Sequence, residues 1–264
     1  MKGLATLLIA SVLISLTAGA TSLEMSIGVG PSATSLGSVN ASIGVFNALI
    51  THLNETFESH PDVTGTVETL SPLTSGLALS AAERFWLADW FALGAGVEYF
   101  GTSTETIGYF EGADISTIDV GLDVAAFNIT IGGRATFLDM GLKLAADAGI
   151  AYHYVVSNAA VAFEVPSEYP GTISGVPPTQ DGRYTGDTFG FELGLTLFYP
   201  IAPWFTLGAS VGYRSATIDA VTDASGTELD LDGDGSPEPF DLDGISVRLT
   251  LSFNIDLSIF GEKE

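Results

Sequence analysis

The sequence contains no cysteine and very few basic residues. Of its 264 residues only 8 are Lys or Arg, against 32 Asp or Glu, which gives a net charge of −24. Without cysteine the chain cannot form disulfides, cysteine-ligated zinc sites or iron–sulfur centres, and it has no thiol nucleophile. Without a basic surface it cannot follow the phosphates of a nucleic acid. These absences exclude nucleic acid as a partner and several metal and redox classes.

Long apolar runs are also missing, apart from one at the N-terminus. Because 46% of the residues are hydrophobic and only 15% are charged, the chain must contain either a large core or membrane spans. The one run close to the ~20 residues of a membrane helix covers residues 4–20. It follows Lys2 and ends in Ala18-Gly19-Ala20, as a secretory signal peptide does. The sequence predicts a signal peptide over 1–20 and a mature chain of 21–264, with an uncleaved anchor as the alternative.

The apolar residues of the mature chain alternate with polar ones. From Phe189 to Tyr199, and again from Ile245 to Leu257, every second residue is apolar. This period of two predicts strands with one apolar and one polar face. Runs of about ten residues suit tilted strands that cross a membrane, and the sequence contains eight of them. A soluble ligand-binding barrel, with the apolar face inside, is the alternative.

Two irregularities interrupt this pattern. The apolar parity changes at Ala125-Ala126, which predicts a bulge or a hairpin, and a hairpin would raise the strand count to ten. Glu83 falls on the apolar side of its run, which suggests a second bulge.

The connections between the runs are alternately short and long. The long polar segments are 31–75, 102–116, 156–188 and 218–243. Aromatic residues cluster at the short turns, as in the interfacial girdle of a membrane barrel, and they are Trp86, Trp90, Phe91, Tyr199, Trp204 and Phe205.

With these features the chain resembles the small OmpA- and OmpX-like outer-membrane barrels, from residue 22 to about 259. The turn 199–204, Tyr-Pro-Ile-Ala-Pro-Trp, is the segment most similar to that family. The resemblance implies an all-β fold, a closed antiparallel transmembrane β-barrel of eight strands, with both termini in the periplasm. It also implies a bacterial outer-membrane location, with outer-membrane lipid and the barrel-assembly machinery as partners. The family usually ends on an aromatic residue, whereas here Phe260 is followed by four more residues.

Most charged residues of the strands fall on the polar parity, which faces the lumen of such a barrel. Because isolated buried charges are costly, we expect them to form ion pairs. An eight-stranded barrel is only wide enough to be filled by side chains, so a static ion-paired core is favoured over a narrow channel. The predicted lumen residues are Arg84, Arg134, Lys143, Arg214, Arg248, Glu24, Glu98, Asp119, Asp123, Asp147 and Glu192.

A lipid-modifying enzyme is a third possibility, because His153 could belong to a His–Ser–acid set on the barrel wall. Val155 occupies the next position on the same face, however, so no hydroxyl follows there. The sequence therefore favours a non-enzymatic structural or surface-interaction protein.

The last long loop contains a calcium-binding pattern. Oxygen ligands fall at positions 1, 3, 5, 9 and 12 of an EF-hand frame, with Gly235 at position 6. The predicted ligands are Asp230, Asp232, Asp234, Glu238 and Asp241. No helices flank the frame and two prolines stiffen it, so the alternative is a solvated acidic loop.

The first long segment contains an amphipathic helix. Ile43, Phe46, Ile50, Leu53 and Phe57 recur at helical spacing. The helix is predicted to begin near Ser38 or Asn40 and to end at His60-Pro61. Since its polar face lacks Lys and Arg, we expect it to cover apolar surface of its own barrel. The alternatives are a helix that lies on the outer leaflet, caps the barrel mouth or docks a partner.

Overall fold

The computed structural model describes residues 20–59, 62–112, 115–164 and 180–257. The predicted signal peptide lies outside the described residues, except for Ala20. In chain order the elements are β1 (Ser22–Ala33), α1 (Gly37–Glu58), β2 (Thr64–Thr66), β3 (Ser75–Ala88), β4 (Phe91–Glu111), β5 (Ile115–Asp139), β6 (Lys143–Glu164), β7 (Gln180–Ala202), β8 (Phe205–Ser215), β9 (Thr217–Ile218), β10 (Phe240–Asp241) and β11 (Gly244–Asp256).

Eight strands form a closed antiparallel ring. The order around it is β4-β3-β1-β11-β8-β7-β6-β5, and β5 pairs with β4 to close the sheet. The predicted eight-stranded barrel is confirmed, and the ten-stranded alternative is wrong.

The apolar faces of the strands point away from the lumen. On β7, for example, Leu193, Leu195 and Leu197 are exposed, whereas Thr196 between them is buried. The same exposed belt continues around the ring, and it includes Met25, Ile27, Leu77, Leu79, Leu93, Val97, Ile129, Ile131, Ile150, Leu207, Val211, Leu249 and Leu251. This orientation is that of a barrel whose outer surface contacts lipid, and it contradicts the soluble ligand-binding alternative.

Aromatic residues border the belt at two levels. At the short turns Trp90 and Trp204 are exposed and contact the neighbouring rings of Phe91 and Phe205. At the other border the outward-facing rings pair across strands, and the pairs are Tyr99–Phe127, Tyr152–Phe189 and Phe191–Tyr213. Two girdles of this kind mark the membrane interfaces of a barrel.

Two expectations about β3 are wrong. Glu83 faces outward without a bulge, since it lies opposite Met25 and Ala95 in unbroken registers. The register shift comes later, between Trp86 and Ala88. Trp86 lies on the same, inward face of β3 as Arg84. It therefore does not belong to the aromatic girdle, in which it was expected.

Four neighbouring strands are much longer than a membrane requires. Strands β4 to β7 have 21 to 25 residues, whereas a tilted membrane strand needs about 9–11. The other four barrel strands have 11 to 14 residues. Half of the barrel wall therefore continues past the membrane at the long-loop end, and this part is named here the tall wall.

The parity change at Ala125-Ala126 marks the start of the tall wall. Strand β5 is continuous there, and its registers with β4 and β6 are unbroken from Thr117 to Ala135. The predicted bulge or hairpin is therefore wrong. Below this point the apolar residues of β5 face lipid, and above it they face inward and are buried, as Val120 and Leu122 are.

The change of parity also determines the face on which Asp119 and Asp123 lie. Both were predicted in the lumen, but they lie on the outer face of the tall wall and are exposed. Outside the membrane the polar face of a strand turns to water, so the same alternation has the opposite orientation.

The helix α1 covers the inner face of the tall wall. Its predicted apolar stripe, from Ile43 to Phe57, is buried together with residues of β4 to β6. The helix contacts β2 and β10 as well. The helix begins at Gly37 and ends at Glu58, close to the predicted bounds, whereas His60 and Pro61 lie outside the described residues. As expected, the helix covers apolar surface of its own barrel. Among the described residues, no helix is long and apolar enough to cross a membrane.

Three asparagines fix an extended segment along α1. Asn40, Asn47 and Asn54 each use both side-chain amide atoms on the main chain of one residue, at 2.7–3.1 Å. Their respective partners are Leu73, Leu70 and Val67, whose side chains are buried. Residues 67–73, named here the strap, therefore run antiparallel to the helix and close one side of the core.

Candidate functional site

The lumen near the short-turn end holds a group of two arginines and two carboxylates, named here the lower ion-pair group. The Arg134 guanidinium lies 2.7 Å from Glu24 and 2.8 Å from Asp147. Arg84 lies 3.5 Å and 3.4 Å from the same two carboxylates. Two positive and two negative charges balance, so this group fills the lumen without net charge.

A second group lies further up the lumen, and it is named here the upper ion-pair group. Glu98 pairs with Arg214 at 2.9 Å and also with Arg248. Glu192 accepts hydrogen bonds from Thr130 at 2.8 Å and from Asn128 at 3.4 Å. These four charged residues are again neutral in sum.

Strand alternation explains why these residues meet. Each charged residue takes an inward position, and its neighbours in the sequence face lipid. Since the ring brings strands far apart in the sequence to the same level, Glu24 of β1 reaches Arg134 of β5 across the lumen. The predicted pairing of lumen charges is confirmed for seven of these eight residues. The eighth, Glu192, is held by its hydrogen bonds from Thr130 and Asn128. Lys143 pairs with Asp139 at the short turn, at 3.2 Å, where both are exposed.

A polar cavity of about 120 Å³ separates the two groups. Its lining includes Arg84 and Asp147 from the lower group, and Glu98 and Arg248 from the upper group. A space of this size holds a few water molecules. Above it, the apolar core under α1 begins at Phe100, over whose ring the Arg214 guanidinium lies at 4.9 Å.

His153 is fully buried at the level of the upper group. Its Nδ1 lies 2.7 Å from Asn128 Oδ1. Val155, at the next inward position, is also buried. The structure therefore gives His153 an amide neighbour and an apolar one.

The acidic loop, residues 219–239, is packed against the protein. Thr222 forms bridges with Thr185 of β7 and with Glu228, so the loop extends the sheet at the tall wall. Leu229 and Leu231 are fully buried, and the aspartates that follow them are partly exposed. Alternation thus places one face of the loop in the core and its carboxylates near water.

Three of the five predicted calcium ligands come together. Asp230, Asp232 and Glu238 each offer a carboxylate oxygen, and these atoms lie within 4.8 Å of one another. Asp234 is exposed and accepts a hydrogen bond from Ser236 N at 2.7 Å. Asp241 lies in β10 opposite Thr217. Neither Asp234 nor Asp241 belongs to the group of three.

Glu238 connects this loop to the helix. Its Oε1 accepts hydrogen bonds from Leu231 N at 2.7 Å and from the hydroxyl of Ser42 at 3.0 Å. Gln180 of β7 donates to the main-chain oxygen of Asp230. Sequence reasoning missed Ser42 and Gln180, since neither stands near the acidic pattern along the chain.

No protein-family model matches the sequence, and no curated protein matches it. Several solved structures are similar in architecture. The outer membrane protein OprG of Pseudomonas aeruginosa is 10% identical over 90% of this chain and 97% of its own, with a TM-score of 0.46. Ail, the attachment invasion locus protein of Yersinia pestis, is 10% identical over 88% and 99%, with a TM-score of 0.39. The outer membrane protease OmpT of Escherichia coli is 10% identical over 89% and 97%, with a TM-score of 0.42.

Identities of 10% are too low to transfer a function from one protein to another. The chain's own closed ring of eight strands, its outward apolar belt and its two aromatic girdles are those of a small outer-membrane β-barrel. The protein is such a barrel, similar to the OmpA- and OmpX-like proteins, and it lies in the bacterial outer membrane.

Proposed function

We propose that the protein is a non-enzymatic, non-conducting outer-membrane barrel that presents a packed domain at the cell surface. This domain consists of the tall wall, α1, the strap and the acidic loop. Its role is structural, or it is the surface with which an extracellular partner interacts. Outer-membrane lipid surrounds the belt, and we propose that the barrel-assembly machinery inserts the chain.

The observation that carries this proposal is the filling of the barrel from both ends of the lumen. Four arginines pair with three carboxylates in the lower part of the lumen, and the buried stripe of α1 covers the apolar core above them. Opening a path for ions would require separating buried ion pairs, which costs several kcal/mol. A non-enzymatic role is supported by His153, because its Nδ1 lies against Asn128 Oδ1 and because Val155, not a serine, occupies the next inward position along β6.

Planar-bilayer recording of the refolded protein tests the proposal. We expect no steady conductance from the wild-type protein. Steady openings that disappear in an Arg248→Ala variant would overturn the proposal in favour of a narrow channel, because Arg248 borders the lumen cavity.

An assay of lipid hydrolysis tests the second part. We expect the refolded barrel to release no fatty acid from phospholipid or lipopolysaccharide. Release that His153→Ala abolishes would contradict the non-enzymatic assignment.

A further inference from the structure

We propose that Asp230, Asp232 and Glu238 bind one calcium ion, and that this ion fastens the acidic loop to helix α1. The inference goes beyond the proposed function, since it holds whether or not the lumen conducts. The ligand oxygens of the three carboxylates lie within 4.8 Å of one another. Like charges at this distance repel, so the arrangement calls for a cation between them.

Glu238 is the independent observation that points to a ligand. It is only 5% exposed, and its Oε1 already accepts hydrogen bonds from Ser42, Leu231 and Asp232. Its Oε2 is buried and has no hydrogen-bond partner within the described parts of the chain. A buried carboxylate oxygen without a donor is costly, and a metal ion at this atom would remove that cost.

The ion pairs of the described residues lie in the lumen or between Asp139 and Lys143, and none of them reaches these three carboxylates. Residues 219–243 include nine carboxylates and no Lys or Arg. The compensating charge must therefore come from solution.

The donor set favours calcium among the common cations. All three side-chain ligands are carboxylates, and hard oxygen ligands in a loop suit Ca²⁺, whereas Mg²⁺ demands a stricter octahedron. In the twelve-residue frame the group occupies positions 1, 3 and 9. It differs from an EF-hand because Asp241 at position 12 lies outside the group, and the buried carboxylate comes from Glu238 at position 9.

The connection to the helix follows from the two oxygens of Glu238. Oε1 accepts a hydrogen bond from the hydroxyl of Ser42 in α1, which leaves Oε2 to bind the ion. An ion at this residue therefore fixes the carboxylate that contacts the helix. Calcium should tighten the contact of α1 with the loop and leave the barrel below unchanged.

The test uses the full chain refolded in detergent, with calcium chloride as the probe in calorimetry. We expect a dissociation constant of about 10⁻⁴–10⁻³ M, the range of extracellular calcium modules. Glu238→Gln and Asp232→Asn should each weaken binding at least tenfold. Glu228→Gln removes an exposed carboxylate of the same loop and should leave binding unchanged. Heat-modifiable migration on gels shows that each variant has formed its barrel.

Equal heats for the wild-type protein and Glu238→Gln, or no heat at millimolar calcium, would overturn the site. Magnesium chloride that binds as tightly as calcium would overturn the assignment of the ion.

Hydrogen exchange of the α1 amides tests the fastening separately. We expect calcium to slow exchange across residues 37–58, and Ser42→Ala to reduce this effect while calcium still binds. Unchanged exchange despite calcium binding would overturn the link to the helix. None of these outcomes bears on conductance, so failure here is distinct from failure of the proposed function.

Discussion

Arg134 shows how much a single lumen residue contributes to the barrel. Its side chain is 3% exposed and holds Glu24 and Asp147, which belong to two different strands. We predict that Arg134→Met leaves both carboxylates short of a counter-charge and lowers the free energy of unfolding by about 3–5 kcal/mol. Urea titration of the protein in lipid vesicles measures the change.

Lys143→Met is the matched control for this substitution. In its ion pair with Asp139 the Lys143 side chain is 43% exposed and the Asp139 side chain is 61% exposed. Exposed ion pairs contribute about 0–1 kcal/mol to the free energy of unfolding. A loss in Arg134→Met as small as the loss in Lys143→Met would contradict the structural role of the lower ion-pair group.

Asp223 gives the acidic loop a dependence on pH. Hydrogen bonds from Ser225 and Thr227 hold the pKa of its carboxyl below the ordinary value of 3.8. Since the folded pKa is lowered, the stabilising contribution is present above pH 3.8 and is lost as the pH falls through the folded value. We predict that the amide signals of Ser225 and Thr227 shift in an acid titration with a midpoint below 3.8. A midpoint at or above 3.8 would refute this.

Alternation was sufficient to assign Glu24, Arg84 and Arg134 to the lumen, but not to pair them. Pairing depends on the level that each residue reaches in the closed ring, which the sequence of one strand does not contain. Asp119 and Asp123 were misplaced for a related reason. A period of two in the sequence shows only that the two faces of a strand differ in polarity. Whether lipid or water surrounds the strand determines which of the two faces points inward.

At the scale of elements, α1 is held by its buried face. Ile50 is fully buried in the core of the tall wall, whereas Val45 on the same helix is 45% exposed. We predict that Ile50→Ala costs about 2–5 kcal/mol and makes residues 37–58 accessible to protease. Val45→Ala is the control and should cost less than ~0.5 kcal/mol. Equal protease sensitivity of the two variants would contradict the packing described.

The strap depends on the asparagines of the same helix. Asn47 donates to Leu70 O at 2.9 Å and accepts from Leu70 N at 2.7 Å. Asn47→Ala leaves both main-chain groups without these partners, and we predict a loss of about 1–3 kcal/mol. His52→Ala, an exposed change on the helix, should be nearly neutral. Unfolding of the surface domain, followed by circular dichroism in urea, compares the two, and equal midpoints would exclude a stabilising role for the asparagines.

The helix could be predicted because a spacing of three and four residues is specific to helices. The strap could not. Asparagines recur every seven residues in α1, and their partners Val67, Leu70 and Leu73 recur every three. Each spacing is visible in the sequence. Only the folded chain shows that seven residues along the helix cover the same distance as three residues along the strap, so that each asparagine meets one strap residue. The packing of the acidic loop was missed similarly, because Leu229 and Leu231 stand among carboxylates.

For the whole molecule, the height of the wall is the feature that alternation alone did not reveal. Asp119 and Ile129 share the outer face of β5, one on the tall wall and one in the apolar belt. Because the chain has no cysteine, single cysteines can be labelled without background. We predict that a membrane-impermeant maleimide labels the Asp119→Cys variant in vesicles, while the Ile129→Cys variant stays protected by lipid.

Detergent solubilisation supplies the control, since both cysteines should then react. Equal labelling of the two variants in vesicles would mean that β5 does not leave the membrane where its apolar parity changes. The closed ring of eight strands was predictable because the strand runs and the alternating connections together specify it. The tall wall required knowing where the lipid ends.

The position of the paired arginines in the lumen also affects how susceptible the exposed surface of the protein is to proteases. The long connecting segments 31–75, 102–116 and 218–243 contain no Lys or Arg, and 156–188 contains only Arg183. A trypsin-like protease, which cuts after basic residues, therefore finds almost no substrate bond on the exposed side of the folded protein. The same ion pairs that fill the barrel thus remove these cleavage sites from the surface, and proteases that cut after apolar or acidic residues would have to attack the packed domain itself.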